Sequence, residues 1–255
     1  MTGLEAFILG IVEGISEFLP ISSTGHLILA SKLLAIPDSD FLKTFEISIQ
    51  LGAILAVAAL YWRSFLNIET LKKVAAGFLP TAIIGFVLYK IIKSLLLGNT
   101  MVVIWALAIG GIILILFEYF HGERSDATGT VESISYKQAA IIGLCQSIAV
   151  IPGVSRSAAT IVGGLALGLK RSTIVEYSFL LAVPTMLAAT ALDLLKNYSA
   201  FSHNDFGTLA IGFIVSAIVA LVSVKFLLSY VQKYSFVAFG VYRIMVAILF
   251  VLLIQ

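Results

Sequence analysis

Residues 4–35 read LEAFILGIVEGISEFLPISSTGHLILASKLLA. The stretch is apolar enough for a bilayer, yet Pro20-Ile21-Ser22-Ser23-Thr24-Gly25 interrupts it near the middle. Crossing the hydrocarbon core takes about 20 apolar residues in helix. Each half here is roughly 12–17 residues, short for a span and suited to a re-entrant helix pair. Lys137–Leu169 is broken in the same way at Pro152-Gly153-Val154-Ser155-Arg156-Ser157. Backbone that leaves helix at membrane depth is tolerated only where it is buried in protein or lines a wet cavity. Two such breaks therefore predict a site.

Working outward, the rest of the chain agrees with a bilayer as solvent. Of its 255 residues, 60% are hydrophobic and 12% charged, against about 25% charged in a soluble domain. Phe45–Trp62, Val74–Leu97, Met101–Phe120, Thr173–Leu195, Thr208–Leu228 and Phe236–Ile254 each read as a span. His121–Ser135, holding Glu123, Arg124, Asp126 and Glu132, reads as a solvated loop that divides the chain near its middle. The net charge of +2 forms no basic stripe, so lipid rather than nucleic acid is the expected partner. Cys145 is the only cysteine and forms no internal disulfide. Glu5, Glu13 and Glu17 interrupt the N-terminal apolar stretch, which lacks a basic start, so no cleaved secretory signal is expected.

The two halves repeat. Gly10 and Glu13 lie 133 residues before Gly143 and Gln146, and the same offset carries Ile21-Ser22-Ser23-Thr24 to Val154-Ser155-Arg156-Ser157. Glu46-Ile47-Ser48 matches Glu176-Tyr177-Ser178, and Gly77-Phe78-Leu79 matches Gly212-Phe213-Ile214. The expected fold is an all-α integral membrane protein with six transmembrane helices and two re-entrant helix pairs. It forms a single membrane domain of two repeats, about 1–120 and about 136–255. Three spans per repeat force the second to be inverted relative to the first, with the site near the midplane. Lys32, Lys43, Lys90, Lys93 and Lys196 fall on the face carrying residue 1. Arg63, Lys72, Lys73, Arg124, Lys137, Lys170, Arg171, Lys225 and Lys233 fall on the other, which predicts that face as cytoplasmic.

Chemistry concentrates at the breaks. Glu13 and Glu17 are four apart and share a helix face. A carboxylate at membrane depth costs about 2.5–3.5 kcal/mol on insertion scales. A divalent cation offsets that cost, and magnesium takes carboxylate and phosphate oxygens; a protonated pair or a headgroup-facing pair is the alternative. Ser22, Ser23 and Thr24 precede a new helix whose free N–H groups make an anion site. His26, three residues after Ser23, lies on its face, so a hydroxyl with an imidazole activator is one reading and a plain cap the other. In the second break Arg156 suits phosphate bidentately, flanked by Ser155 and Ser157; pairing with Glu13 or Glu17 is the alternative. Gln146, the counterpart of Glu13, is a candidate lining residue. Glu46 and Glu176 read as interfacial pairs, and Arg243, within the last span, as the structural partner of an acid. Together these groups fit a strongly anionic ligand such as pyrophosphate.

At these motifs the chain resembles the undecaprenyl-pyrophosphate phosphatases of the bacitracin-resistance type. Residues 13–26, EGISEFLPISSTGH, are similar to that family's first motif, and Pro152–Ser157 to its second. Ala158 departs from the family's usual glycine but removes no functional group. The resemblance implies hydrolysis of undecaprenyl pyrophosphate to undecaprenyl phosphate and inorganic phosphate, recycling the lipid carrier for cell-wall synthesis. It also implies a bacterial inner membrane, a divalent cation, magnesium or calcium, and a site open to the periplasm. Glu13 and Glu17 would hold the cation or handle protons. Ser23 would be nucleophile or phosphate ligand with His26 beside it, and Ser22, Thr24, Ser155, Arg156 and Ser157 would grip the substrate. Assembly as a homodimer is compatible with all of this. A transporter or flippase for a phosphorylated lipid shares the architecture and is the rival reading. A lipid phosphatase of the type-2 phosphatidic-acid class is excluded, because Val162 stands where its histidine nucleophile is required.

Overall fold

The computed structural model describes residues 1–91, 100–121, 129–197 and 206–254. Lys93, Glu123, Arg124 and Asp126 lie outside them, as does the end of the expected span Val74–Leu97. The described residues are almost wholly helical. In chain order the α-helices are α1 (Gly3–Ser16), α2 (Ser23–Leu33), α3 (Asp40–Leu60), α4 (Ile68–Ile91), α5 (Thr100–Phe120), α6 (Tyr136–Gln146), α7 (Arg156–Ala166), α8 (Arg171–Asn197), α9 (Phe206–Val231) and α10 (Val237–Ile254). Five apolar stretches within them are long enough to cross a membrane: Phe41–Leu60, Ile68–Leu88, Thr100–Phe120, Arg171–Leu192 and Phe206–Val231. Val237–Leu253 is a shorter apolar helix. The protein is thus a multi-pass α-helical membrane protein.

Both sequence breaks are real interruptions. α1 ends at Ser16 and α2 begins at Ser23; α6 ends at Gln146 and α7 begins at Arg156, with a 3-10 turn at Ser147–Val150 between them. These four helices are 14, 11, 11 and 11 residues long, or about 16–21 Å at 1.5 Å per residue, against a core of about 30 Å. α1 and α6 each open with a reciprocal capping box. Thr2 Oγ1 accepts from Glu5 N at 3.2 Å while Glu5 Oε2 accepts from Thr2 N at 2.6 Å. Ser135 Oγ accepts from Gln138 N at 3.2 Å while Gln138 Oε1 accepts from Ser135 N at 2.9 Å. Each box satisfies two otherwise orphaned donors.

Packing exchanges the two halves of the chain. α1 lies along α9, and α6 lies along α4. The contact points are glycines. A Cβ added at Gly10 would fall 2.8 Å from the Gly212 carbonyl, and one at Gly143 would collide with the Gly77 carbonyl. Backbones approach this closely only across small residues, as is common between membrane helices. α3 and α8 pack against each other, and α5 pairs with α10. Phe18, Tyr177, Phe179, Leu180 and Phe236 are fully buried in the main core. The Phe18 and Phe179 rings meet edge to face at 5.4 Å.

Two arginines, one half-buried and one buried, fasten the helices. Arg171 Nη2 donates to Glu118 Oε2 at 2.7 Å, and Glu118 Oε1 accepts from Phe236 N at 3.0 Å, joining α5, α8 and the start of α10. Arg243, 1% exposed, differs from expectation. Among the described residues it makes no ion pair; its guanidinium donates to the carbonyls of Ala106, Leu107, Pro20 and Gly153. At the close α5–α10 approach, the nearest acceptors are backbone carbonyls rather than carboxylates.

Candidate active site

The first break supplies an acid and a hydroxyl. Glu17 caps the C-terminal end of α1, its N–H still bonded to the Glu13 carbonyl. The chain then turns through Pro20, and Ser22 sits at φ 73°, a left-handed conformation unusual for a residue with a side chain. That turn brings Ser23, at the start of α2, back toward α1. Ser23 Oγ donates to Glu17 Oε2 at 2.6 Å. Ser22 makes no side-chain capping bond to α2, so the first N–H groups of that helix face the break uncapped.

The second break supplies the cation. Gly153, at φ 89°, makes its tip, and an added Cβ there would lie 2.7 Å from the Val103 carbonyl, so only glycine fits. Ser155 Oγ then caps α7 by accepting from Ala158 N at 3.2 Å. Arg156, the first residue of α7, reaches across to the first break, where its Nη2 donates to Glu17 Oε1 at 2.9 Å. The two side chains are 12% and 5% exposed. Arg156 Nη1 donates to the Ser178 carbonyl at 3.0 Å, and the Phe18 ring lies 5.6 Å from its Cζ. Its Nε is buried without an acceptor. Ser157 Oγ ties the breaks a second time, donating to the Leu19 carbonyl at 2.8 Å.

A cavity of about 120 Å³ opens between the breaks. Glu17, Ser22, Ser23 and Thr24 line it from one side, and Val154, Ser155 and Arg156 from the other. Gln50 of α3, Ala149 and Met186 complete it. The size suits a headgroup, well under the roughly 300–1,000 Å³ of sites that enclose a whole drug-sized ligand.

Four expected residues stand elsewhere; Ser157, expected to grip the substrate, is one, fully buried and committed to the Leu19 carbonyl. His26 is outside the lining. Its Nδ1 donates to the Ser22 carbonyl at 2.7 Å, and Nε2 meets the Tyr242 hydroxyl at 2.8 Å. Glu17 therefore occupies the place beside Ser23 that spacing gave to the imidazole. Gln146 is also outside. Its Nε2 donates to Thr81 Oγ1 at 2.9 Å and Thr185 Oγ1 at 3.0 Å, tying α6 to α4 and α8. Glu13 is fully buried behind the lining, its charged neighbours being Glu17, Glu46 and Arg156. Neither of its oxygens has a hydrogen-bond donor. No group of three or more histidine, cysteine, aspartate or glutamate side chains able to hold a metal exists among the described residues. The donorless Glu13 carboxylate next to Glu17 still fits a hard cation that takes its remaining ligands from phosphate and water.

Sequence reasoning missed Gln50, Ser178 and Tyr242. Gln50 left a signal, as a lone amide in the apolar run Ile47–Leu60, and among the described residues it has no hydrogen-bond partner. Ser178 and Tyr242 left none, because their value lies in which neighbour they meet.

The family model described as bacitracin resistance protein BacA matches residues 6–249. A protein of Sulfurihydrogenibium sp., named undecaprenyl-diphosphatase, is 53% identical over 252 residues, covering 99% of each chain. Proteins of the same name from Aquifex aeolicus and Wolinella succinogenes are 52% and 51% identical, covering 98% and 96% of each chain respectively. Matched over nearly its whole length, the chain belongs to the bacitracin resistance protein BacA family.

Proposed function

We propose that the chain hydrolyses undecaprenyl pyrophosphate to undecaprenyl phosphate and inorganic phosphate. One observation carries the mechanism: Ser23 Oγ lies 2.6 Å from Glu17, whose other oxygen is held by Arg156 at 2.9 Å, all lining one small cavity.

The terminal phosphoryl group sits between the breaks, met by the Arg156 guanidinium and the uncapped N–H groups of α2. Ser23 Oγ attacks its phosphorus, the hydroxyl proton passes to Glu17, and the bond to the bridging oxygen breaks, releasing undecaprenyl phosphate. Glu17 gives that proton to the departing undecaprenyl phosphate and is ionised again. A water then attacks the phosphoserine phosphorus and gives its proton to Glu17. The Ser23 Oγ–P bond breaks, and Glu17 returns the proton to Ser23 Oγ as inorganic phosphate leaves. Charge developing on the phosphoryl oxygens is stabilised by donors already in place, which is where most of the rate comes from in such transfers. Ser22, Thr24, Ser155 and Gln50 bind the remaining oxygens. His26 holds the Ser22 carbonyl and so the strained turn, and Ser157 holds the Leu19 carbonyl. A divalent cation, magnesium or calcium, would be held by Glu13 and Glu17 and would neutralise pyrophosphate charge; the donorless Glu13 carboxylate supports it.

The same reading gives one membrane domain of six spans and two re-entrant pairs, α1–α2 and α6–α7, in two inverted repeats. Its support is the exchanged packing, with Gly10 on Gly212 as Gly143 is on Gly77. The protein would reside in the bacterial inner membrane with the cavity open to the periplasm, the polyprenyl tail staying among lipids. The exchanged packing equally favours a transporter, which would use the cavity without breaking a bond.

Phosphate release from a polyprenyl pyrophosphate by detergent-purified protein separates the two. Release that needs the cation, stops with EDTA and collapses in Arg156→Ala is expected. Well-folded wild type that releases none leaves the transporter reading in its place.

A further inference from the structure

The breaks are tied to each other by Arg156–Glu17 and Ser157–Leu19, both made from within the breaks themselves. A third tie comes from outside, from α10. Arg243 Nη1 donates to the Pro20 carbonyl at 3.3 Å, and Nη2 to the Gly153 carbonyl at 3.1 Å. Pro20 and Gly153 stand at the tips of the two breaks and are 133 residues apart, the offset that relates the motifs. Neither carbonyl receives a backbone N–H among the described residues. A buried carbonyl without a donor is costly, most of all at membrane depth. One planar guanidinium satisfies both while its Nε and Nη2 anchor to the Leu107 and Ala106 carbonyls of α5 at 3.3 and 2.9 Å.

An arginine inside a membrane helix costs about 2.5–3.5 kcal/mol on insertion scales, and a neutral residue would fill the space without that cost. Among the described residues Arg243 has no acid to neutralise; it does not line the cavity and is 1% exposed. What it does uniquely is fix two tips relative to one rigid helix. Ser22–Ser23 follows one tip and Ser155–Arg156 the other, so the spacing of the tips sets the distance between the hydroxyl and the guanidinium that meet the phosphoryl group.

We propose that Arg243 is a positioning residue for phosphoryl transfer, clamping the Pro20 and Gly153 carbonyls so that the two halves of the cavity stay in register. The inference rests on the reading that both breaks form one phosphatase site. Misplacing reacting groups by about 1 Å costs on the order of 100-fold in rate. Loss of the clamp therefore acts on kcat, while KM, set by the charges that remain, stays within about threefold.

The test combines three variants with two readouts. Arg243→Met removes the clamp. Arg243→Lys keeps the charge but not the fork. Gly110→Ala leaves Arg243 intact and places a Cβ 2.9 Å from its Cζ, forcing the guanidinium aside. The readouts are kcat and KM for phosphate release, and the distance distribution between spin labels at Leu33→Cys on α2 and Ala166→Cys on α7, in a Cys145→Ser background. Expected are a kcat loss of about 100-fold for Arg243→Met and about tenfold for each of the others, with broadened label distances in all three. Unchanged kcat in Arg243→Met, or kcat lost in the three variants with distances as narrow as in wild type, overturns the proposal. Should Arg243→Met not fold, Gly110→Ala and Arg243→Lys decide by the same criteria. If wild type releases no phosphate, the phosphatase reading fails, and the label distances alone still decide whether Arg243 spaces the breaks.

Discussion

The two breaks share an offset and a backbone plan but divide the chemistry unequally. Glu13, Glu17 and Ser23 in the first stand where Gln146, Val150 and Arg156 stand in the second. The first has an uncapped helix start behind a strained Ser22; the second has a capped helix behind a glycine tip. One helix end is acidic and carries the hydroxyl, the other is cationic, and the bond joining them, Arg156 to Glu17, depends on that difference. Gln50 extends the pattern, since the offset of 130 that relates Glu46 to Glu176 places the fully buried Leu180 opposite it.

Removing what is unique to the first break has the largest effect. Glu17→Gln keeps the shape but cannot take the Ser23 proton, and kcat falls about 10³-fold, or ~4 kcal/mol of barrier; phosphate release at saturating lipid measures it. A variant within tenfold of wild type would assign the base elsewhere.

Making the second break acidic costs stability instead. Gln146 works because its amide donates to Thr81 and Thr185, whose own protons already go to the Gly143 and Leu181 carbonyls. Gln146→Glu puts a buried carboxylate among acceptors, and about 3 kcal/mol of stability is lost. Thermal unfolding in detergent reads this, with a shift to lower temperature and no gain in activity. Gln50→Leu makes α3 resemble α8, and kcat/KM falls about tenfold through loss of one bond to an anionic ligand. Smallest is Ser155→Ala, which removes the cap of α7 and costs about 1 kcal/mol, again by thermal unfolding; an equal loss from Ser22→Ala would erase the contrast between the two helix starts.

The breaks were legible because proline and glycine inside apolar runs punctuate the chain whatever surrounds it. The polar groups beside them were legible because charge at membrane depth demands a reason. Pairing was less so. Spacing placed His26 on the face of Ser23, but Ser23 is the first residue of α2 and points back into the turn, where Glu17 already waits. His26 turns instead to Ser22 and to Tyr242, 216 residues away. Arg243 failed expectation for the same reason: whether an arginine meets a carboxylate or carbonyls depends on how closely two helices approach, and two of the glycines that permit that approach, Gly110 and Gly111, lie on another helix.

The smallness of the cavity has a kinetic meaning. On the proposed reading the headgroup enters the cavity while the isoprenoid stays in the bilayer, so substrate would arrive by diffusion in two dimensions. The quantity that saturates the enzyme is then mole fraction in the membrane, and diluting the lipid with inert amphiphile slows turnover even at constant bulk concentration. Shortening the tail changes only how much substrate partitions, at about 0.8 kcal/mol per methylene, and leaves the rate per bound headgroup alone.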